Sequence, residues 1–448
     1  MKYVLFMIAL SGVVPAAFLA AYNRKLMRLI AFMMLATVLV FNQTAINFMS
    51  HETYRGTSRG MEISAIHLCA FSLLLAILIR KGRLKLVPDA GIWVFLVYFL
   101  LSLLSIVNSA NVLFSFFEVW KMVMLYVVFI AAWNYMDLTG DVEVFLYGMA
   151  AVVFLNFGVV VWGYFRQVYQ ASGVFPHQNS MGMYMALAGN LFLACFFSAK
   201  DHFRRGFFAI AFVVASVSLV RTFSRGAIAC YPIGCGLTMI ASLMYEFDRR
   251  KVMLIAGVGC AALVGSLLFV NRVIERFETA PERSASTRVE LAASALKMMN
   301  DKVLGVGLNN WGIKINPPYP YARERNDKSE FNDEAKDGIV ETVYLLVGAE
   351  CGYGGLLALL VWFGYYWTLA LRMLKKMKYT PWFFIVAGAF GGLPANYLQS
   401  VLEWVLKQQI NFIQLVVIFA MLSFVSYQYK KERAQLRSQG GGAPPLRG

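Results

Sequence analysis

The chain has 448 residues, of which 59% are apolar and only 15% charged. That balance excludes a soluble globular class, because most of the surface need not meet water. The net charge of +16 does not mark a nucleic-acid binder either. It is spread over short basic clusters between apolar blocks, the distribution of cytoplasmic loops.

The apolar blocks are about twenty residues long, enough for a helix to cross a hydrocarbon core of ~30 Å. The alternation of a membrane barrel is absent. The sequence therefore predicts an all-α integral membrane protein, a polytopic bundle of about 12–13 transmembrane helices. In chain order the blocks fall near 2–21, 29–48, 62–79, 88–107, 115–135, 144–165, 179–198, 207–222, 226–246, 252–270, 340–371, 381–399 and 409–428. The first block lacks a small-residue cleavage site and reads as a span, not a removed signal. The basic clusters include Arg24, Lys25 and Arg28; Arg80, Lys81, Arg83 and Lys85; and Arg372, Lys375, Lys376 and Lys378. With these inside, the alternation puts 49–61, 108–114, 166–178 and 271–339 on the opposite side. The division is a bundle over 1–270, a large outer loop over 271–339, further spans over 340–428 and a disordered basic tail over 429–448.

The large loop carries equal numbers of acids and bases, in contrast to the basic inner loops. Thr287-Arg288-Val289-Glu290 fits a capping box with Thr287 as N-cap. Val289, Ala292, Leu296, Met299 and Val303 recur at helical spacing. They predict an amphipathic helix over 288–303, lying on the membrane or on the bundle. Trp311, Tyr319 and Tyr321 are candidates for stacking on sugar rings.

Arginines on the outer side run against the positive-inside bias. Arg221 and Arg225 are four apart, as on one helical face. Arg288 is read at the first helical position, where free backbone N–H groups and a guanidinium would converge on an anion. Together they suit a diphosphate better than a neutral sugar. Glu350, inside an apolar span, needs a basic partner within the bundle. No metal-ligand spacing, acidic cluster, nucleotide loop or serine elbow is present, so no metal and no cofactor are expected.

Four segments in order resemble the O-antigen ligase and O-antigen polymerase superfamily of bacterial envelope glycosyltransferases. They are Gly173-Val-Phe-Pro-His177-Gln-Asn179; Thr222-Phe-Ser-Arg225-Gly-Ala227; Arg288 with Leu304-Gly305-Val-Gly307; and Glu341-Thr-Val-Tyr344-Leu345 through Glu350-Cys-Gly352. The resemblance implies a bacterial inner-membrane enzyme with its active site facing the periplasm. The donor would be an undecaprenyl diphosphate-linked glycan, and the acceptor a glycan, a lipid A core or a protein. It further implies that Arg225 and Arg288 hold the diphosphate, assisted by Arg221, with His177 and Asn179 in the substrate site. The family pattern has a histidine base where this chain has Glu341. A carboxylate is competent to take a proton from an acceptor hydroxyl, so Glu341 is expected as the general base of a metal-independent transfer. Membrane lipids are partners in any case. The rival classes are a transporter for a polyprenyl-linked glycan and a non-catalytic lipid-binding paralogue.

Overall fold

A computed structural model of the chain describes residues 2–88, 90–245, 252–253, 256–257, 259, 282–321, 338–378 and 380–438. The helices are α1 Lys2–Ser11, α2 Val13–Tyr22, α3 Arg24–Ala36, α4 Phe41–Thr44, α5 Ala65–Lys81, α6 Ile92–Ser105, α7 Val112–Thr139 and α8 Glu143–Phe165. They continue with α9 Gln178–Ser198, α10 His202–Arg221, α11 Arg225–Tyr245, α12 Glu282–Asp301, α13 Trp311–Lys314, α14 Val343–Lys376, α15 Phe383–Leu402 and α16 Gln409–Ser438. The protein is an all-α polytopic membrane protein.

Among the described residues, eight helices are long and apolar enough to cross a membrane, and Phe6–Tyr22 and Ile92–Asn108 are shorter apolar helices. This is fewer than the blocks read from hydropathy, for identifiable reasons. The first block gives only the shorter apolar helix Phe6–Tyr22, with Gly12 helical within it. Helix α5 stops at 17 residues, and α15 is diluted by Asn396 and Gln399. The block at 252–270 lies largely outside the described residues, as do 271–281 and 322–337 of the large loop and 439–448 of the tail. The 429–438 part of the expected disordered tail is instead helical, because α16 continues to Ser438. A small antiparallel hairpin, β1 Ile46–Ser50 with β2 Gly60–Ile63, begins at the end of the second block and occupies much of the expected 49–61 loop.

The chain forms two compact units. The first is Met1–Gly148, Arg283–Tyr365 and Ser400–Ala420; the second is Met149–Glu282, Tyr366–Gln399 and Met421–Gly448. In the first unit, the C-terminal end of α7 gathers charge. Lys81 pairs with Asp137 at 2.5 Å and Arg28 with Asp141 at 2.9 Å. The acidic 137–141 stretch thus pairs with one residue from each of two basic clusters. At the N-terminal end of α7, Asn111 accepts from the Leu113 N–H and caps the helix. The segment after α12 is bonded into this end. Asn309 accepts from Thr57 and Ser58 and donates to Ser58 and Phe114, while Asn310 accepts from the Asn111 N–H. Its buried amides are satisfied by backbone and hydroxyl partners, and Val306, Trp311 and Ile315 add an apolar cluster, so both fix the loop.

Helix α12 runs over Glu282–Asp301, so Thr287 is inside it and is not its N-cap. Arg288 consequently stands in the second turn, away from the free N–H groups. The buried face is also rotated from the expected one. Met299 is buried as expected, together with Leu291, Ala295 and Met298, whereas Val289, Leu296 and Val303 are exposed. Both sets have helical spacing, and periodicity alone does not choose between them.

Candidate functional site

The second unit joins the first two sequence segments. His177 is the N-cap of α9, and its Nδ1 accepts from the Asn179 N–H at 3.2 Å. Partial burial holds the imidazole below its ordinary pKa, so it is a neutral acceptor here. The chain leading to it is tied to the end of α10: the Ala171 N–H donates to the Arg221 carbonyl at 3.1 Å, and Tyr169 stacks on Phe223 at 5.3 Å.

Arg221 and Arg225 do not share a helical face. Arg221 ends α10 and Arg225 opens α11, with Phe223 between them at φ +49°. The turn is built by its hydroxyls. Thr222 Oγ1 accepts from Ser224 N–H at 3.0 Å, and Ser224 Oγ accepts from Ala227 N–H at 3.3 Å. Ser224 thereby caps α11 and sets Arg225 at its first position, where the helix dipole favours anions. The Arg221 guanidinium donates to the Val168 carbonyl at 3.3 Å and lies 4.9 Å from the Tyr164 ring. These contacts hold the turn to the preceding loop.

The first unit joins the other two segments. Arg288 Nη2 stands 3.7 Å from Glu341 Oε2, with both side chains a little over a third exposed. Burial pushes the Glu341 carboxyl above its ordinary pKa, and the Arg288 charge offsets part of this rise. A carboxylate raised in this way is a stronger base. The adjacent Thr342 Oγ1 donates to the Ser400 carbonyl at 3.3 Å, and its own carbonyl accepts from Leu346 N–H in the first turn of α14.

The glycines of these segments let two backbones meet. Helix α14 kinks at Gly352, where φ is +70° and a Cβ would lie 1.9 Å from the Val303 carbonyl oxygen. Gly305, at φ +76°, would place a Cβ 2.4 Å from the Glu350 backbone. No other residue fits either position. Across this contact Val306 N–H donates to the Ala349 carbonyl at 2.8 Å, and Gly307 N–H to that of Glu350 at 3.0 Å.

Glu350 does have the basic partner that its location requires. Its Oε2 is 3.4 Å from Lys407 Nζ, which is 3.3 Å from Glu118 Oε1; Lys121 Nζ reaches Glu118 Oε2 at 2.7 Å. Ser58 and Thr57 also donate to Glu118, at 2.5 and 2.8 Å, and Lys121 donates to the Lys407 carbonyl at 3.1 Å. Lys407 lies in the short connection between α15 and α16, where its sequence neighbours give no sign of these partners. Glu118 and Lys121, opposite charges three apart inside an apolar span, carried the readable signal.

The aromatic residues of the loop correct a further expectation. Trp311 is fully buried and Tyr321 nearly so, and Lys314 Nζ covers Tyr319 at 4.4 Å. Trp311 has no free face for a sugar.

Residues 210–360, about a third of the chain, match the family model described as O-antigen ligase. That stretch contains Arg221, Arg225, Arg288, Glu341 and Glu350 but not His177 or Asn179. No curated protein matches the chain. The match supports membership of the O-antigen ligase/polymerase superfamily and, with it, an enzyme of glycosyltransferase type.

Proposed function

We propose that the protein transfers or polymerises a glycan from a polyprenyl diphosphate-linked donor at the outer, periplasmic face of a bacterial inner membrane, with Glu341 as general base. The observation that carries this reading is the half-buried Glu341 carboxylate beside Arg288, inside the segment that matches the O-antigen ligase model.

In the reaction, an acceptor hydroxyl oxygen forms a bond to the anomeric carbon of the donor sugar. The bond from that carbon to the diphosphate oxygen breaks, and its electron pair leaves with the diphosphate. Glu341 takes the hydroxyl proton. A base contributes ~10²–10⁴-fold when its pKa lies near the working pH, and burial moves Glu341 in that direction. The Arg288 charge offsets part of the rise that burial imposes on the carboxyl and so favours its ionised form. Arg225, at the first position of α11, is assigned to the leaving diphosphate on the strength of the motif it occupies, as a cation at a helix N-terminus. His177 and Asn179 are assigned to substrate contact on the strength of the motif they occupy, and Arg221 to holding the turn that presents Arg225.

Deleting the gene and examining surface polysaccharide tests the reading. Loss of long chains identifies a polymerase, and long chains stranded on the carrier lipid identify a ligase. Unchanged polysaccharide would refute it, as would full complementation by Glu341→Gln.

A further inference from the structure

Glu341 and Arg288 approach each other from different elements, a short stretch before α14 and the second turn of α12. Something must set their separation, because an ion pair at 3.7 Å between side chains this exposed contributes little cohesion of its own. Trp311 bridges what carries them. Its indole Nε1–H donates to the Gly338 carbonyl at 3.0 Å, three residues before Glu341. Its backbone N–H donates to Glu350 Oε1 at 3.4 Å, and Glu350 is in turn held by Lys407. Its ring is fully buried in one cluster with Leu291 and Ala295 of α12, Val340 next to Glu341, and Leu346 and Ala349 of α14. A buried tryptophan whose indole and backbone N–H groups are both bonded is held at both ends.

We propose that Trp311 is a positioning residue for the transfer reaction: by holding Gly338 through its indole N–H and α12 through its ring, it sets Glu341 against Arg288 and fixes the height of the base over the acceptor. The proposal rests on the reading of Glu341 as base. It gives the buried quartet a role in the chemistry, as the foundation on which the Trp311 backbone stands. Displacing a reacting group by about 1 Å costs up to ~10²-fold, so loss of the single Gly338 bond is expected to cost about tenfold.

The test replaces the indole N–H alone. Trp311→Phe keeps a ring in the cluster, and incorporation of 3-benzothienylalanine at position 311 keeps the whole bicyclic shape with sulfur in place of N–H. Each full-length protein is assayed in liposomes with native lipid-linked glycan extracted from cells lacking the gene. Both changes are expected to lower kcat about tenfold, with KM for the donor within about twofold. The sulfur isostere, which keeps the buried volume, should change the unfolding temperature little, whereas Trp311→Phe lowers it. The acid limb of the pH–rate profile should move to higher pH, because Glu341 loses part of the Arg288 field. In a Glu341→Gln background the same changes should have no further effect, since Trp311 acts through that carboxylate. The wild-type rate and acid limb with the sulfur isostere would overturn the proposal. An equal fractional loss in the Glu341→Gln background would do so too. If Glu341→Gln alone transfers glycan at the wild-type rate, the base assignment itself is wrong, an outcome separate from the other two.

Discussion

The first unit holds two systems of opposite charge, built in opposite ways. Glu118, Lys121, Glu350 and Lys407 are at most 5% exposed. Glu118 alone accepts from two lysines and two hydroxyls. Arg288 and Glu341 are a little over a third exposed and meet at one long contact. The quartet balances two acids with two bases, so desolvation is offset only while all four are present. Among the described residues, the pair leaves the Glu341 carboxylate with acceptor capacity to spare. Saturation marks a structural device, and an incompletely bonded carboxylate of raised pKa marks one available for chemistry.

Substitutions can break this contrast, and the largest effect belongs to the quartet. Lys407→Ala leaves two buried carboxylates under-compensated and should cost about 3–5 kcal/mol; the protein should fail to accumulate in membranes, as judged by immunoblot and thermal unfolding in detergent. Glu341→Gln should lower transfer by ~10²–10⁴-fold while shifting stability by less than about 1 kcal/mol, a dissociation that a structural acid would not show. Arg288→Gln should reduce the rate less and move its acid limb. The sign follows from the cause: burial raises the Glu341 pKa and Arg288 lowers it, so removing the cation raises it further and activity is lost at higher pH. The smallest effect belongs to Arg221→Lys. It exchanges a planar guanidinium for a point charge beside Tyr164 and Val168 and should cost roughly 1 kcal/mol of stability, read from unfolding, with activity changed a few-fold.

Much of this was legible in the sequence and some was not. Hydropathy alone places the helices, because length and apolarity are direct consequences of the bilayer. The four motif segments are legible as patterns, but their grouping comes only from the fold: the chain leading to His177 meets the Arg225 turn within the second unit, and the Arg288 and Glu341 segments meet within the first. Helix capping was the weak point. A Thr-x-x-Glu pattern fits a helix start, but it fits a helix interior equally when the preceding Glu282–Ser286 stretch continues the turn. The quartet could not be assembled from sequence, since Glu118 and Lys407 are brought together only by the fold. Trp311 looked like a solvent-side sugar platform because it lies in a polar segment. Its burial depends on α12 and α14 closing over it.

The most direct test of the central claim is the pH–rate profile of the wild-type protein beside that of Arg288→Gln, in liposomes with native lipid-linked glycan. If Glu341 is the base and Arg288 its neighbour, the acid limb moves to higher pH in the variant and disappears with the activity in Glu341→Gln. An acid limb that stays in place when Arg288 is changed would contradict the account.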